Sequence, residues 1–475
     1  MDVKESFLNI KHLYNRMGFG LAYPELTRLS KKKFTKVIEQ LVIAQGTNDD
    51  LQTVNDEEYH SQQALLAGLG KRQTQTAEEK QQRVKVTRMR NEKSRQLNVE
   101  WIKQMINTSN PLLEKMTLFW HGHFACRSNN PFYAQQLNNI QRKNALGNFK
   151  TLLMEVSKSP AMLDYLNNQQ NRKNRPNENF ARELMELFTL GRGNYIETDI
   201  KEAARAFTGW AYNKQGEFEF KTGIHDERQK TFFGKTGNFD GEAIIDMILA
   251  RPETATFICR KLYLFFVSDI PDESHVEELA DHFYKHQYNI TSVITKLCHA
   301  SWFYSSKNVG NKIKSPVELL VGMSREFRVT YRKPRVLTQL QSSLGQYLFN
   351  PPNVAGWPGG KNWIDSSSLM LRLKIPSLVL NDGILDFSGK TDPEDEAVIA
   401  LNSKTTAKTV KSYVNATANW DEFLGSLPKD MKKDELATFL LASPVTENVR
   451  QLAALNPDLK NTAITIASIP EYQLC

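Results

Sequence analysis

The sequence predicts a mainly α-helical protein: one large helical domain over residues 1–475, with one small β-hairpin and short 3-10 and loop insertions. Three observations carry that expectation. Apolar residues recur at helical spacing, helix starts are punctuated by capping residues, and strand signals are few. Leu112, Met116, Phe119 and His123 stand at i, i+4, i+7 and i+11, one face of a helix. Ser159-Pro160 and Ser315-Pro316 each set a serine cap before a proline at the first helical position, and Glu318 completes a capping box with Ser315. Asp199 and Glu202 mark a further start, for a helix running to about Phe207, and Gly191 and Gly193 stop the helix before it. The alternating stretch Glu217 to Phe220 is expected to pair with Lys230 to Phe233, as a hairpin whose loop holds His225 and Asp226.

Composition bounds the class. Hydrophobic residues are 40% and charged residues 24%, ordinary globular values that exclude a disordered, collagen-like or low-complexity chain. No apolar run approaches the roughly 18 to 20 residues that span a bilayer. The core is expected at about 100–385, where aromatics are dense. Residues 48–98 read as a polar, charged helical insertion, and 388–450 as a polar, variable C-terminal region packed on the core.

Sixty-one basic against 53 acidic residues give a net charge of +8, a mild bias toward anionic partners. The excess is local: nine basic against three acidic residues between Lys71 and Arg95. That stretch is either a solvated, projecting helix or an anion-binding arm. It lacks the stacking rings of a nucleic-acid site. Cys126, Cys259, Cys298 and Cys475 form no CxxC and read as buried or incidental thiols. The N-terminal segment has no apolar signal region, so a cytoplasmic location is expected, short of export with a partner or a start further upstream.

Four constellations can carry chemistry. On a helix from Asn177 to Phe188, Asn179, Arg182, Glu183 and Glu186 fall within an arc of about 100°, opposite an apolar face. The stripe has no lysine. Two carboxylates one turn apart beside an arginine can clamp a substrate, bind a cation, or split into acid and base; an exposed face with a Glu178–Arg182 pair explains the same pattern. His121 and His123 form an HxH pair. Imidazole is a common ligand for a divalent metal, but on a continuous helix the two rings lie about 200° apart. A metal site, one functional and one structural histidine, and two core histidines all remain open. His225-Asp226 sets a carboxylate beside an imidazole, which can orient it or co-ligate a cation. The loop Pro351 to Trp363 carries Trp357 and Trp363, which can cap a pocket or plug the core. Phosphate-loop, dinucleotide-binding, nucleophile-elbow and zincin signatures are missing.

Ordered strings along almost the whole chain carry a family resemblance. They are His12 to Arg16 with Gly18-Phe-Gly20, Phe119 to Phe124, Asn179 to Leu187, Ala203 to Trp210, His225-Asp226, Lys261 to Tyr263, Lys314 to Glu318, Pro351 to Trp357 and Pro470 to Leu474. In these the chain resembles the bacterial family called domain of unknown function 1800. The resemblance implies a mostly helical bacterial protein, often encoded beside a sulfatase-like partner and often exported. The chain departs in lacking an export signal. It also has Phe188 where many relatives carry histidine, which leaves any metal site there one ligand poorer.

Two functions compete. The first is a hydrolase- or lyase-type enzyme acting on a polar polymer or peptide. Glu183 and Glu186 would be acid/base or cation ligands, and Arg182 and Arg205 would hold an anionic group. His121 or His123 with His225 and Asp226 would complete the site, with Asn179, Trp210, Trp357 and Trp363 contacting substrate. The alternative is a non-catalytic binding or assembly partner of a sulfatase-like enzyme, its polar stripe a network that fixes helix register. Nucleic-acid binding through 71–95 is a third, less well supported reading.

Overall fold

The computed structural model describes residues 3–43, 50–69, 76–381, 384–386, 411–413 and 415–475, and the fold is mainly α. One apolar cluster runs from Ile10, in the helix Val3–Met17, to Tyr472 near the end of the chain. A smaller one gathers Trp101, Ile102 and Met105 with Leu118, Val317, Val321 and Leu337. Both bury the apolar faces of amphipathic helices, the main favourable term in folding.

The expected helix starts are present. Ser159 caps Pro160–Tyr165 and Ser315 caps Pro316–Glu326 in a full box with Glu318. Glu197–Ala206 begins two residues before Asp199, whose carboxylate accepts from the Ile196 amide at 3.0 Å. Gly191 and Gly193, at φ +77° and +88°, interrupt the chain before it.

The basic stretch is helical but continuous with the core. Ala77–Asn107 spans 31 residues, about 46 Å. Its basic first part is exposed to half-buried, and from Leu97 it enters the interior. Lys71 and Arg72 lie outside the described residues. So do 387–410, most of the beginning of the polar C-terminal stretch. The described part after 415 packs Phe423, Leu436 and Phe439 into the main cluster.

The strand pairing differs from expectation. β1 (Trp210–Tyr212) pairs with β2 (Phe218–Phe220), and β3 (Lys230–Phe232) pairs with β4 (Lys235–Gly237). Two adjacent hairpins thus replace the single one between 217–220 and 230–233. Local turns close both: Gly216 at φ +79° in the first, Phe233 and Gly234 at +49° and +73° in the second. Short closures order less chain than a loop across 221–229. His225 and Asp226 therefore lie on the connection between hairpins. Two further strand pairs, 330–331 with 416–417 and 384–386 with 411–413, also occur. No helix among the described residues is long and apolar enough to cross a membrane. All four cysteines are buried free thiols.

One ion pair joins three helices at the seam of the two clusters. Glu114, in the helix Pro111–His123, accepts from Arg142 Nε at 2.8 Å and Nη2 at 3.2 Å, and from Trp101 Nε1 at 2.8 Å. Both charged side chains are buried. Glu114→Ala leaves the Arg142 guanidinium uncompensated in the interior and is expected to cost about 3–5 kcal/mol. Urea unfolding checks this; a loss under about 1 kcal/mol contradicts it.

Candidate functional site

The helix of the polar stripe is not regular. Asn179–Glu183 is α-helical and then widens into a π-helix over Leu184–Thr189. Thr189 Oγ1 and the Leu190 amide each reach five residues back, to Leu184 O and Met185 O. The wider turn aims the carbonyls of Leu187 and Phe188 elsewhere. Lys261 Nζ donates to Leu187 O at 3.0 Å, and His123 Nε2 to Phe188 O at 3.1 Å.

The stripe itself is half-buried and mostly paired. Arg182 bonds Glu178 at 3.0 Å and Glu197 at 2.7 Å. Glu186 accepts from Arg192 at 2.6 Å and from the Tyr195 hydroxyl at 3.1 Å. Glu183 is the exception: among the described residues its carboxylate has no ion pair or hydrogen bond. Partial burial, then the neighbouring Glu186, raise its pKa above the usual carboxylate range. Asn179 donates to Leu166 O at 3.1 Å and ties the helix start to the chain before it. No hydrogen bond or ion pair among the described residues joins Glu183 or Glu186 to a histidine. His123 instead bonds the backbone of the same turn at Phe188 O, while the carboxylates stay half-buried.

The HxH rings face apart. His121 Nε2 accepts from the Phe349 amide at 3.0 Å, and its ring packs against Trp101, Phe349 and Trp357. His123 lies among Phe119, Phe124 and Phe188. The two residues do not fit a shared metal, since each Nε2 is engaged on backbone and the rings serve opposite sides of one helix. Among the described residues no group of three or more His, Cys, Asp or Glu could hold a metal ion. Phe188 puts an apolar ring 6.1 Å from that of His123.

Two of the strings that carry the family resemblance meet at this helix end. Gly356 has φ +82°, and a Cβ there would fall 2.4 Å from the carbonyl oxygen of Gly122. Only glycine permits that approach. Trp357 is half-buried on His121, Trp363 is buried, and Trp210 is a core residue against Phe207 and Phe218.

Arg205, His225 and Asp226 do converge. Asp226 is buried and accepts from Arg205 Nε at 2.8 Å, from Arg228 Nε at 2.9 Å and Nη2 at 2.6 Å, and from the Arg228 amide at 3.0 Å. The Arg228 guanidinium, ahead of Arg205, holds its carboxyl far below the usual carboxylate range. Asp226 thus stays ionised and organises two cations. Arg205 is shared with Glu202 at 2.8 Å. Lys230 Nζ donates to Asp226 O and closes the corner.

His225 Nδ1 lies 2.8 Å from Thr208 O and 3.2 Å from Thr208 Oγ1. A carbonyl only accepts, so Nδ1 carries a proton, and in the neutral ring the lone pair is on Nε2. The ring lines an open cleft of about 550 Å³ with Lys173, Asn174, Thr222, Glu227 and Arg228. Lys173 is brought there by its amide, bonded to Ile224 O at 2.8 Å. Sequence reasoning missed Lys173, Thr208 and Arg228. Thr208 stood inside a recurring string, but nothing local marks its carbonyl as the acceptor that fixes an imidazole 17 residues on.

Comparison with protein families finds a match to the one described as a protein of unknown function (DUF1800), over residues 12–474. No curated protein and no solved structure matches the chain.

Burial holds three histidines neutral. It pushes His12 and His121 down to about 3 and His123 well below its ordinary value. Unfolded, each takes up a proton near pH 6.5. The unfolded state then binds more protons, so the stability present above that pH is lost as pH falls below it. Denaturant unfolding between pH 7 and 5 should show a falling free energy, each histidine contributing a slope approaching about 1.4 kcal/mol per pH unit. His123→Phe should remove one proton from that slope; an unchanged slope contradicts the neutral assignment.

Proposed function

The chain belongs to the DUF1800 family, and from that premise we propose an acid–base enzyme of hydrolase or lyase type that works at the His225 cleft on a polar, anionic polymer or peptide. The observation that carries this reading is the bond from His225 Nδ1 to Thr208 O, which leaves Nε2 as an oriented proton acceptor beside the cleft. Nε2 would take the proton of an attacking water, or one next to an acidifying group of the substrate. Lys173 and Arg228 supply positive charge for an anionic substituent, and Arg205, through Asp226, positions Arg228. Glu183, unpaired and protonated to higher pH than an ordinary glutamate, suits proton donation to a leaving group. Its neighbour Arg182 bonds Glu197 at the start of the helix Glu197–Ala206, and the cleft lies by that helix's end, so a substrate meeting both would be extended.

A second reading draws on the pairing of Arg182 with Glu178 and Glu197, a network suited to fixing helix register in a non-catalytic partner of a sulfatase-like enzyme. It gives Nε2 of His225 no role, and one experiment separates the two. A panel of sulfated, uronate-containing and acidic-peptide oligomers is incubated with the protein and with His225→Asn, and products are read by mass spectrometry. Turnover by the parent should fall about 100-fold or more in the variant, with the melting temperature within about 2 °C. No product from either protein, or equal product from both, contradicts the enzyme reading.

A further inference from the structure

A second polar centre lies apart from the cleft. Lys11, Lys115, Lys314, Glu318, Arg325, Glu326 and Tyr472 surround a cavity of about 50 Å³, roofed by apolar side chains such as Phe19 and Phe439. It is built from distant parts of the chain: the Val3–Met17 helix, the residues ahead of Phe119, Lys314 to Glu318, and Tyr472 with Cys475. A water needs roughly 10–15 Å³ of such space, so there is room for three or four waters, or one ion of three or four heavy atoms.

Two of the cations lining it have no carboxylate in direct contact. Lys115 pairs with Glu318, and Tyr472 donates to Glu326 at 2.6 Å. Arg325 caps the end of the Ala77–Asn107 helix, with Nη1 2.6 Å from Ile106 O. Among the described residues neither Lys11 nor Lys314 has a carboxylate within ion-pair distance. Lys11 Nζ donates to the carbonyls of Thr438 and Leu441, and Lys314 Nζ to Tyr472 O at 2.8 Å. Of the four cations that face Glu318, Glu326 and Cys475 here, only Lys115 is in direct ion-pair contact. Uncompensated charge there is costly unless a counter-ion enters or a proton leaves.

We propose that this cavity binds one small oxyanion, of formate or bicarbonate size, held by the ammonium groups of Lys11 and Lys314. Two Lys11 hydrogens are committed to carbonyls, so its third position is either a lone pair or the donor an anion requires. Burial pushes Lys11 down to about 7, with Glu326 opposing and Lys314 adding to the shift, and burial lowers Lys314 as well. An anion therefore favours protonated Lys11, and its affinity weakens as pH rises above 7. Lys115, Glu318, Arg325, Cys475 and the Tyr472–Glu326 pair are the other titratable groups facing the cavity, and Arg372 stands beside Lys314.

The test is thermal unfolding of the full chain with formate, bicarbonate, chloride or sulfate at constant ionic strength, at pH 6.5 and 8.5. Formate and bicarbonate should raise the melting temperature saturably by several degrees, more at pH 6.5. Sulfate is too large and should act no more than chloride. Arg228→Gln, which removes a cation from the His225 cleft, should keep the shift, and Lys314→Met should lose it. If Lys314→Met does not fold, line broadening of 13C-formate by the unaltered protein, reversed by unlabelled bicarbonate, gives the same answer. Equal shifts with all four anions, a shift lost in Arg228→Gln, or no broadening overturns the proposal and leaves a water-filled cavity.

Discussion

The hydrogen bond between His225 Nδ1 and the carbonyl of Thr208 fixes what the cleft can do. Without it the imidazole could present either nitrogen as donor or acceptor, and the neighbouring cations would face an ambivalent group. With it, one lone pair points to a fixed place. The bond exists because Thr208 ends the turn after the helix Glu197–Ala206, where its carbonyl has no helical partner. Thr208 Oγ1 also accepts from the Asp226 amide at 2.8 Å, so the same residue seats both members of the His-Asp pair.

The rest of the corner supports that placement. Asp226 is a fixed negative charge between Arg205 and Arg228, and the two hairpins hold the connection at both ends. Removing Asp226 would leave two guanidinium groups facing each other, a larger disturbance than removing His225. This separates the group proposed to meet substrate from the groups that position it. It also explains why a buried carboxylate beside an imidazole need not share its proton work: the arginines have already claimed it.

Helical class and helix punctuation were legible from residue types, because periodicity and caps are local signals. Pairing was not. The hairpins were closed by turns whose glycines sit next to Phe233 or Gln215, without the Asn-Gly or Asp-Gly marks that single out such turns. The stripe at 179–186 was drawn on a regular helix, whereas Lys261 and His123, remote in sequence, hold it open as a π-helix. His225, Asp226 and Arg205 were found together; Thr208, Arg228 and Lys173 were not. The buried lysines at 11 and 314 escaped notice because a lysine carries no sign of burial in its own sequence neighbourhood.

Long-range 1H–15N correlation on the protein labelled with 15N-histidine reads the His225 tautomer directly. A neutral ring with the proton on Nδ1 and a bare Nε2 is the result the cleft geometry requires. A ring protonated at Nε2 would mean that the lone pair points into the protein, and the proposed proton acceptor would not exist.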